Sequence, residues 1–257
     1  VLQENVVFHL TKNESQRDVV VVTSSSCAED PNPYIYEVPF EKVVSTNNPD
    51  RFIHIVTNEA ELNIADRAGN LPCSLSDIGI QASTGKVVDF RTRENLSMEF
   101  VKGSVPLIFP QHLQGALLKW PLDGGKKPNA LMNNENTSGL MVKNGTYVLT
   151  RRLTAKEEKR RLVASIYSEN IADVEVVGFE NKTNYFHAMG EPLEPLLEKG
   201  LWAFLNSTLI DKYFRQLNGH TQVNATDLRI LRYPEKATLI SIGCLLYTSD
   251  AADDLFR

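Results

Sequence analysis

Apolar positions along this chain fall into short blocks with two distinct periods. The β-branched runs at 6–10 and 19–23 flank a polar stretch, which predicts two strands of a hairpin with a long loop. Residues 24–33 are turn-rich and the chain to Asp50 is irregular and punctuated by proline, which predicts a domain boundary near 30–50. Residues 57–68 open on capping types and carry helix formers at suitable spacing. The block QASTGKVVDFR at 81–91 predicts strand, glycine turn, strand. Residues 103–144 are rich in Gly, Pro and Asn, with short strands expected at 105–109 and 130–132. Further strands are predicted at 147–149, 162–167 and 174–179, with Thr154 and Glu157 spaced as a capping box.

The strongest periodicity lies at 192–217. Leu193, Leu197, Leu201, Phe204, Leu205, Ile210, Tyr213 and Leu217 recur at three- and four-residue steps, predicting one amphipathic helix. A polar loop at 218–224 leads to a short helix, DLRILR, capped by Thr226 or Asp227 and stopped by Pro234.

Composition narrows the class. With 257 residues, 42% hydrophobic and 23% charged, the chain is ordinary globular material for one large or two smaller domains. No apolar run is long enough to span a bilayer, so no membrane partner is expected. Three cysteines without paired spacing argue against a disulfide framework and a four-ligand zinc site. The start has no basic n-region and no initiator Met. At the other end, CLLYTSDAADD (244–254) resembles, codon for codon, the translation of a sequencing-library transposase adapter. Residues 244–257 are therefore expected to be a non-native tail, and the chain a gene fragment truncated at both ends.

Charge is unevenly spread. Residues 1–84 carry net −7, 85–161 net +7 and 162–257 net −5. A basic middle inside an acidic chain suggests a surface for a polyanion, with a solvated face as the plain alternative.

Several enzyme readings fail on motif. There is no P-loop, no GxGxxG and no GxSxG, and the five histidines have no metal-binding spacing. Asp30-Pro31-Asn32-Pro33-Tyr34 has an Asn between its prolines, so it lacks the adjacent pair of an amino-methylating NPPY box and reads as a linker turn. Three polar loops remain: STGKVVDFR with Lys86, Arg91 and Arg93; NGTYVLTRRLTAKEEKRR with Arg151, Arg152, Lys156, Lys159, Arg160 and Arg161; and NGHTQVNATDL with Asn218, His220, Gln222 and Asn224. Lys and Arg suit phosphate or guanine, while Asn, Gln and His can pair with base edges. Singly, each also reads as a hairpin, a solvated face and a capping-rich turn.

The ordered blocks LPCSLSDIGIQASTGKVVDFR, VPLIFPQHL, NGTYVLTRRLTAKEEKRRLVASIY and GLWAFLNSTLIDKYFRQLNGHTQVNATDLRILRYP resemble the C-terminal portion of gamma-class adenine-N6 DNA methyltransferases of restriction-modification systems. The last block also resembles the target recognition domains of type I specificity subunits. The resemblance covers nearly all of residues 1–235 and implies an α+β chain. Residues 1–40 would end a Rossmann-like catalytic sheet and its linker, and 41–236 would be a mixed α/β DNA target recognition domain. It implies a cytoplasmic protein acting on double-stranded DNA, with S-adenosylmethionine and the methyl-transfer residues held upstream of Val1, so that the fragment alone is inactive.

The same resemblance implies DNA contacts by Lys86, Arg91, His112, Arg151, Arg152, Asn218, His220, Gln222 and Asn224. Arg151 and Arg152 would serve phosphate, and Gln222 and Asn224 base edges or loop shape. For residues 218–226 a purely structural role stands beside the DNA-reading one. A stand-alone specificity subunit or interaction module is the alternative at the level of the whole chain, and a small-molecule enzyme of mixed fold is a third reading.

Overall fold

The computed structural model describes residues 6–12, 15–25, 27, 29–44, 53–155 and 157–248. The chain is α+β. Residues 6–10 form no strand. Instead β1 (Val19–Ser24) pairs antiparallel with β2 (Tyr34–Pro39), from Val19 opposite Pro39 to Ser24 opposite Tyr34. The hairpin thus lies one block later than the apolar runs predict, because YIYEV alternates well enough to pair despite its flanking prolines. The short α1 (Phe40–Val43) follows, and Val38, Val43 and Val56 form a small core beside Val20 and Val22. Val19 and Val21, on the other face, are 41% and 60% exposed.

α2 (Glu59–Gly69) starts where the capping pattern places it. Asn58 Oδ1 accepts the Glu61 N–H at 2.9 Å. A four-stranded antiparallel sheet follows, with order β3 (Gln81–Thr84), β11 (Thr183–His187), β8 (Tyr147–Arg151), β9 (Ala164–Tyr167). A five-stranded mixed sheet has order β4 (Leu96–Ser97), β6 (Ala130–Met132), β5 (Ser104–Ile108), β10 (Val176–Phe179), β7 (Met141–Lys143). In the 81–91 block only the first strand forms. Beyond Gly85 there is a single bridge, Val87 to Glu180, before a 3-10 turn at Asp89–Arg91.

Side-chain alternation decides how the layers stack. On β8, Val148 packs with helices while its neighbours Tyr147 and Leu149 pack with Val177 and Phe179 of β10. The four-stranded sheet is therefore covered by helices on one face and by the five-stranded sheet on the other. The central aromatic cluster, Tyr147, Tyr167, Phe179 and Tyr185, has ring centroids 5.1–6.4 Å apart. β10 passes directly into β11 through a turn at 180–182, which joins the two sheets.

The long periodic stretch is two helices, not one. α3 (Leu197–Leu205) ends at Asn206, and Ser207 caps α4 (Thr208–Leu217), its Oγ accepting the Ile210 N–H. An unbroken apolar period survives the break because both helices bury the same side against the sheet. α5 (Ala225–Ile230) is capped at Asn224, two residues before the earliest predicted cap, and Asp227 accepts the Asn224 N–H at 2.8 Å. α6 (Lys236–Thr248) was not predicted. It crosses α3 so closely that a Cβ on Gly200 would collide with the Leu239 carbonyl. Of the expected tail at 244–257, residues 244–248 form the end of α6, and 249–257 lie outside the described residues. Among those described, no helix is long and apolar enough to cross a membrane.

Candidate functional site

A backbone seam at one end of the four-stranded sheet assembles the polar loops. Past β8 the chain runs antiparallel to the loop after α4. Val223 N–H donates to Arg152 O (2.7 Å), Leu153 bridges Gln222, and Thr154 N–H donates to Thr221 O (3.0 Å). Asn184 of β11 adds Nδ2–H to Val223 O at 2.8 Å. Beneath the seam Arg161, fully buried, donates through Nη1 to Thr154 O (2.7 Å) and through Nη2 to His220 O, with Asn218 Oδ1 at 3.5 Å. A buried guanidinium thus ties the basic segment to the amide-rich loop.

Beside the seam lies an open cleft of about 510 Å³. Its walls are Ser83, Thr84 and Lys86 after β3, Arg152, Tyr185, and Asn224 with Arg229 of α5. Gly85 brings Lys86 there, since any Cβ at 85 would strike the Glu180 carbonyl oxygen. Arg152 donates from Nη1 to Asn181 O (3.1 Å) and from Nη2 to Asn224 Oδ1 (3.3 Å). Arg229 donates to Ala82 O from Nε (3.1 Å) and Nη2 (2.6 Å), and Lys86 is exposed. Three cations surround one polar hollow with no carboxylate lining it, which makes its potential positive.

His187 borders this cleft. Its Nδ1 accepts the Gly190 N–H at 2.8 Å, which places the proton on Nε2, 2.9 Å from Ser83 Oγ. Burial first, then the charges of Arg229 and Lys86, hold the imidazole below its ordinary value. In that tautomer it cannot take a proton from Ser83, so the pair is not a nucleophile and its base.

The predicted residues divide. Lys86, Arg152 and Asn224 meet at the cleft, and His220 and Gln222 are exposed on the adjoining loop. Arg91 is exposed on the 89–91 turn, its guanidinium carbon 5.5 Å from the Phe90 ring centroid. Arg151 donates from Nη2 to Leu113 O at 2.7 Å and has Glu158 at 3.9 Å, so it is partly committed elsewhere. Two of the expected residues are buried. His112 is fully buried, with Nδ1 accepting the Phe109 N–H (2.9 Å) and Nε2 at 3.1 Å from Asn129 Oδ1, so both ring nitrogens are engaged within the chain. Asn218 is 7% exposed and spends its amide on Gln222 O (2.9 Å) and Asp227 Oδ2 (2.7 Å).

The six-residue basic run is not a continuous face either. Arg161 is buried, Arg160 donates to Asn206 O, and Lys156 lies outside the described residues. Sequence reasoning missed Arg229, which reads locally as an ordinary helix residue. Only the packing of α5 on β3 brings it to Lys86.

The buried histidine carries a pH prediction. Burial, opposed by the Asn129 bond, holds His112 below the ordinary 6.5. The unfolded chain then binds the proton more readily. The stability His112 contributes is full above 6.5 and is lost as pH falls from there through its folded value. The stability gap between the parent and His112→Gln is expected to be widest near neutrality and to narrow toward mildly acidic pH in urea titrations. A gap constant with pH would refute the assignment. Glu180 and Glu198, whose buried carboxyls are pushed up, are present in both proteins and cancel.

No family model matches the chain. It is 70% identical over 243 residues to the type II methyltransferase M.PstI of Providencia stuartii, a match covering 95% of this chain and 48% of that protein. It is 44% identical over 245 residues to the type II methyltransferase M.BsuBI of Bacillus subtilis, again covering 95% of this chain and 48% of the relative. The chain spans about half the length of the curated relatives it matches.

Proposed function

We propose, taking as premise that this chain is homologous over nearly all its length to type II methyltransferases, that it is the DNA-recognising part of a site-specific adenine-N6 methyltransferase of a restriction-modification system. Residues 41–236 form the target recognition domain. Residues 1–40 end the catalytic sheet, which accounts for the outward apolar face of Val19 and Val21. S-adenosylmethionine serves the whole enzyme and is assigned to none of the residues described here.

One observation carries this reading. The basic segment after β8 and the amide-bearing loop at 218–224 lie side by side, with Lys86 and Arg229 completing a cationic hollow. Lys86, Arg152 and Arg229 suit phosphate oxygens, which fix position without reading sequence. Gln222 and His220, exposed beside them, suit base edges in a groove. An enzyme that must draw a base from the stack needs such a grip on the duplex around it.

The test is equilibrium binding of the chain to duplex DNA across a salt series. Affinity is expected to fall steeply and log-linearly with salt, with a slope of roughly −0.9 per phosphate neutralised. No binding at low salt, or binding indifferent to salt, would overturn the reading.

A further inference from the structure

The rim that joins the cleft also holds out an aromatic ring. Phe90 is 61% exposed on the 3-10 turn at Asp89–Arg91. The turn itself is rigidly seated. Asp89 Oδ1 accepts the Phe90 N–H at 2.8 Å, and its Oδ2 lies 2.8 Å from Lys127 Nζ and 3.7 Å from Lys182 Nζ. Thr92 Oγ1 and Arg91 N–H both donate to Val88 O. Asn181 N–H donates to Val87 O, and Asn181 O receives Arg152 from the cleft wall. A continuous string of bonds therefore runs from the Phe90 turn to the cationic hollow.

A large apolar ring fixed in water, with a guanidinium beside it and two lysines beneath, is a recognisable device. Lys127 and Lys182 are paired with Asp89, and Lys182 also with Glu180, so it is the Arg91 guanidinium beside the ring that favours a polyanion. The ring asks for a flat apolar partner, and a nucleic acid offers one wherever a base step is opened. We infer that Phe90 packs against the base stack of DNA at the step where a nucleotide is displaced. The inference rests on the DNA-recognising reading of the cleft.

The experiment compares two duplexes of one mixed sequence, one intact and one with a single central abasic site. The chain is expected to bind the abasic duplex about tenfold more tightly, because the opened step is ready-made and a stacked ring gains most there. Phe90→Ala is expected to bring that ratio close to one. The salt slope, which counts cations and not rings, should keep its value. Phe90→Trp is expected to retain the preference, with the new indole emission quenched on the abasic duplex. Because residue 90 is exposed, these variants are expected to fold, and circular dichroism checks that they do. A ratio near one in the parent, or an undiminished ratio in Phe90→Ala, overturns the role of Phe90 and leaves the DNA reading standing. No binding to either duplex at low salt overturns the DNA reading itself, and the role of Phe90 falls with it.

Discussion

Arg161→Met is expected to destabilise the chain by about 3–5 kcal/mol, the scale of a charge removed from buried, bonded partners. Methionine fills much the same volume, so the loss is not chiefly one of packing. It comes from the acceptors left behind: Thr154 O and His220 O sit against a side chain with no solvent exposure, while Asn218 Oδ1, 3.5 Å away, keeps the His220 N–H. An unpaired buried acceptor costs roughly 1–3 kcal/mol. The Arg161 backbone is held independently by Asp211, whose Oδ1 accepts its N–H at 2.5 Å, so the strand entering β9 should keep its course. The damage falls on the 218–224 loop, which keeps its backbone bond from Thr154 N–H to Thr221 O but loses the guanidinium tie at His220 O. Urea unfolding should show a lower midpoint with an unchanged slope. DNA affinity should fall along with it, although Arg161 touches no ligand. A midpoint equal to the parent's would mean that the loop stands without the guanidinium.

The second large effect concerns the cleft. Lys86→Gln, Arg152→Gln and Arg229→Gln together are expected to weaken binding to every duplex by about a hundredfold, at roughly 1 kcal/mol for each partly exposed contact. The salt slope should drop by roughly 2–3 if all three meet phosphate. Glutamine keeps a donor for Asn181 O, Asn224 Oδ1 and Ala82 O, so the fold should persist. A change confined to one preferred sequence, at constant slope, would move these residues from phosphate to base edges.

How far the sequence announced this arrangement can be read from particular elements. α2 and its Asn58 cap, β5, β6, β9 and β10 follow from local pattern, since their apolar residues alternate or recur with the right period. β11, the strand that lies between β3 and β8, could not be foreseen. Thr183, Asn184 and His187 are polar, yet all are buried: Glu180 O partners Thr183 locally, and Val223 O and Ser83 supply partners from distant parts of the chain. The same physics bears on the site residues expected from the sequence. His112 and Asn218 have the right chemistry for a base edge, but their hydrogen bonds are already spent inside the protein. Residue type shows what a side chain can bond; only the fold shows whether it is still free to do so. Lys86, Arg152 and Asn224 were legible because they flank turns, and Arg229 was not, because a helix's packing partner is absent from its own sequence.

Asn129 shows what such saturation achieves. Its Oδ1 accepts from His112 and from the Leu122 N–H, and its Nδ2 donates to Met98 O and Leu122 O, while its backbone oxygen receives Trp120 Nε1. One residue thereby latches a long stretch almost without regular structure, and Lys127, two positions away, supports the turn bearing Phe90. The consequence is kinetic. A surface shaped in advance loses little conformational entropy on meeting its ligand, so encounter should run at a speed set by diffusion and charge, with no slow ordering step after contact.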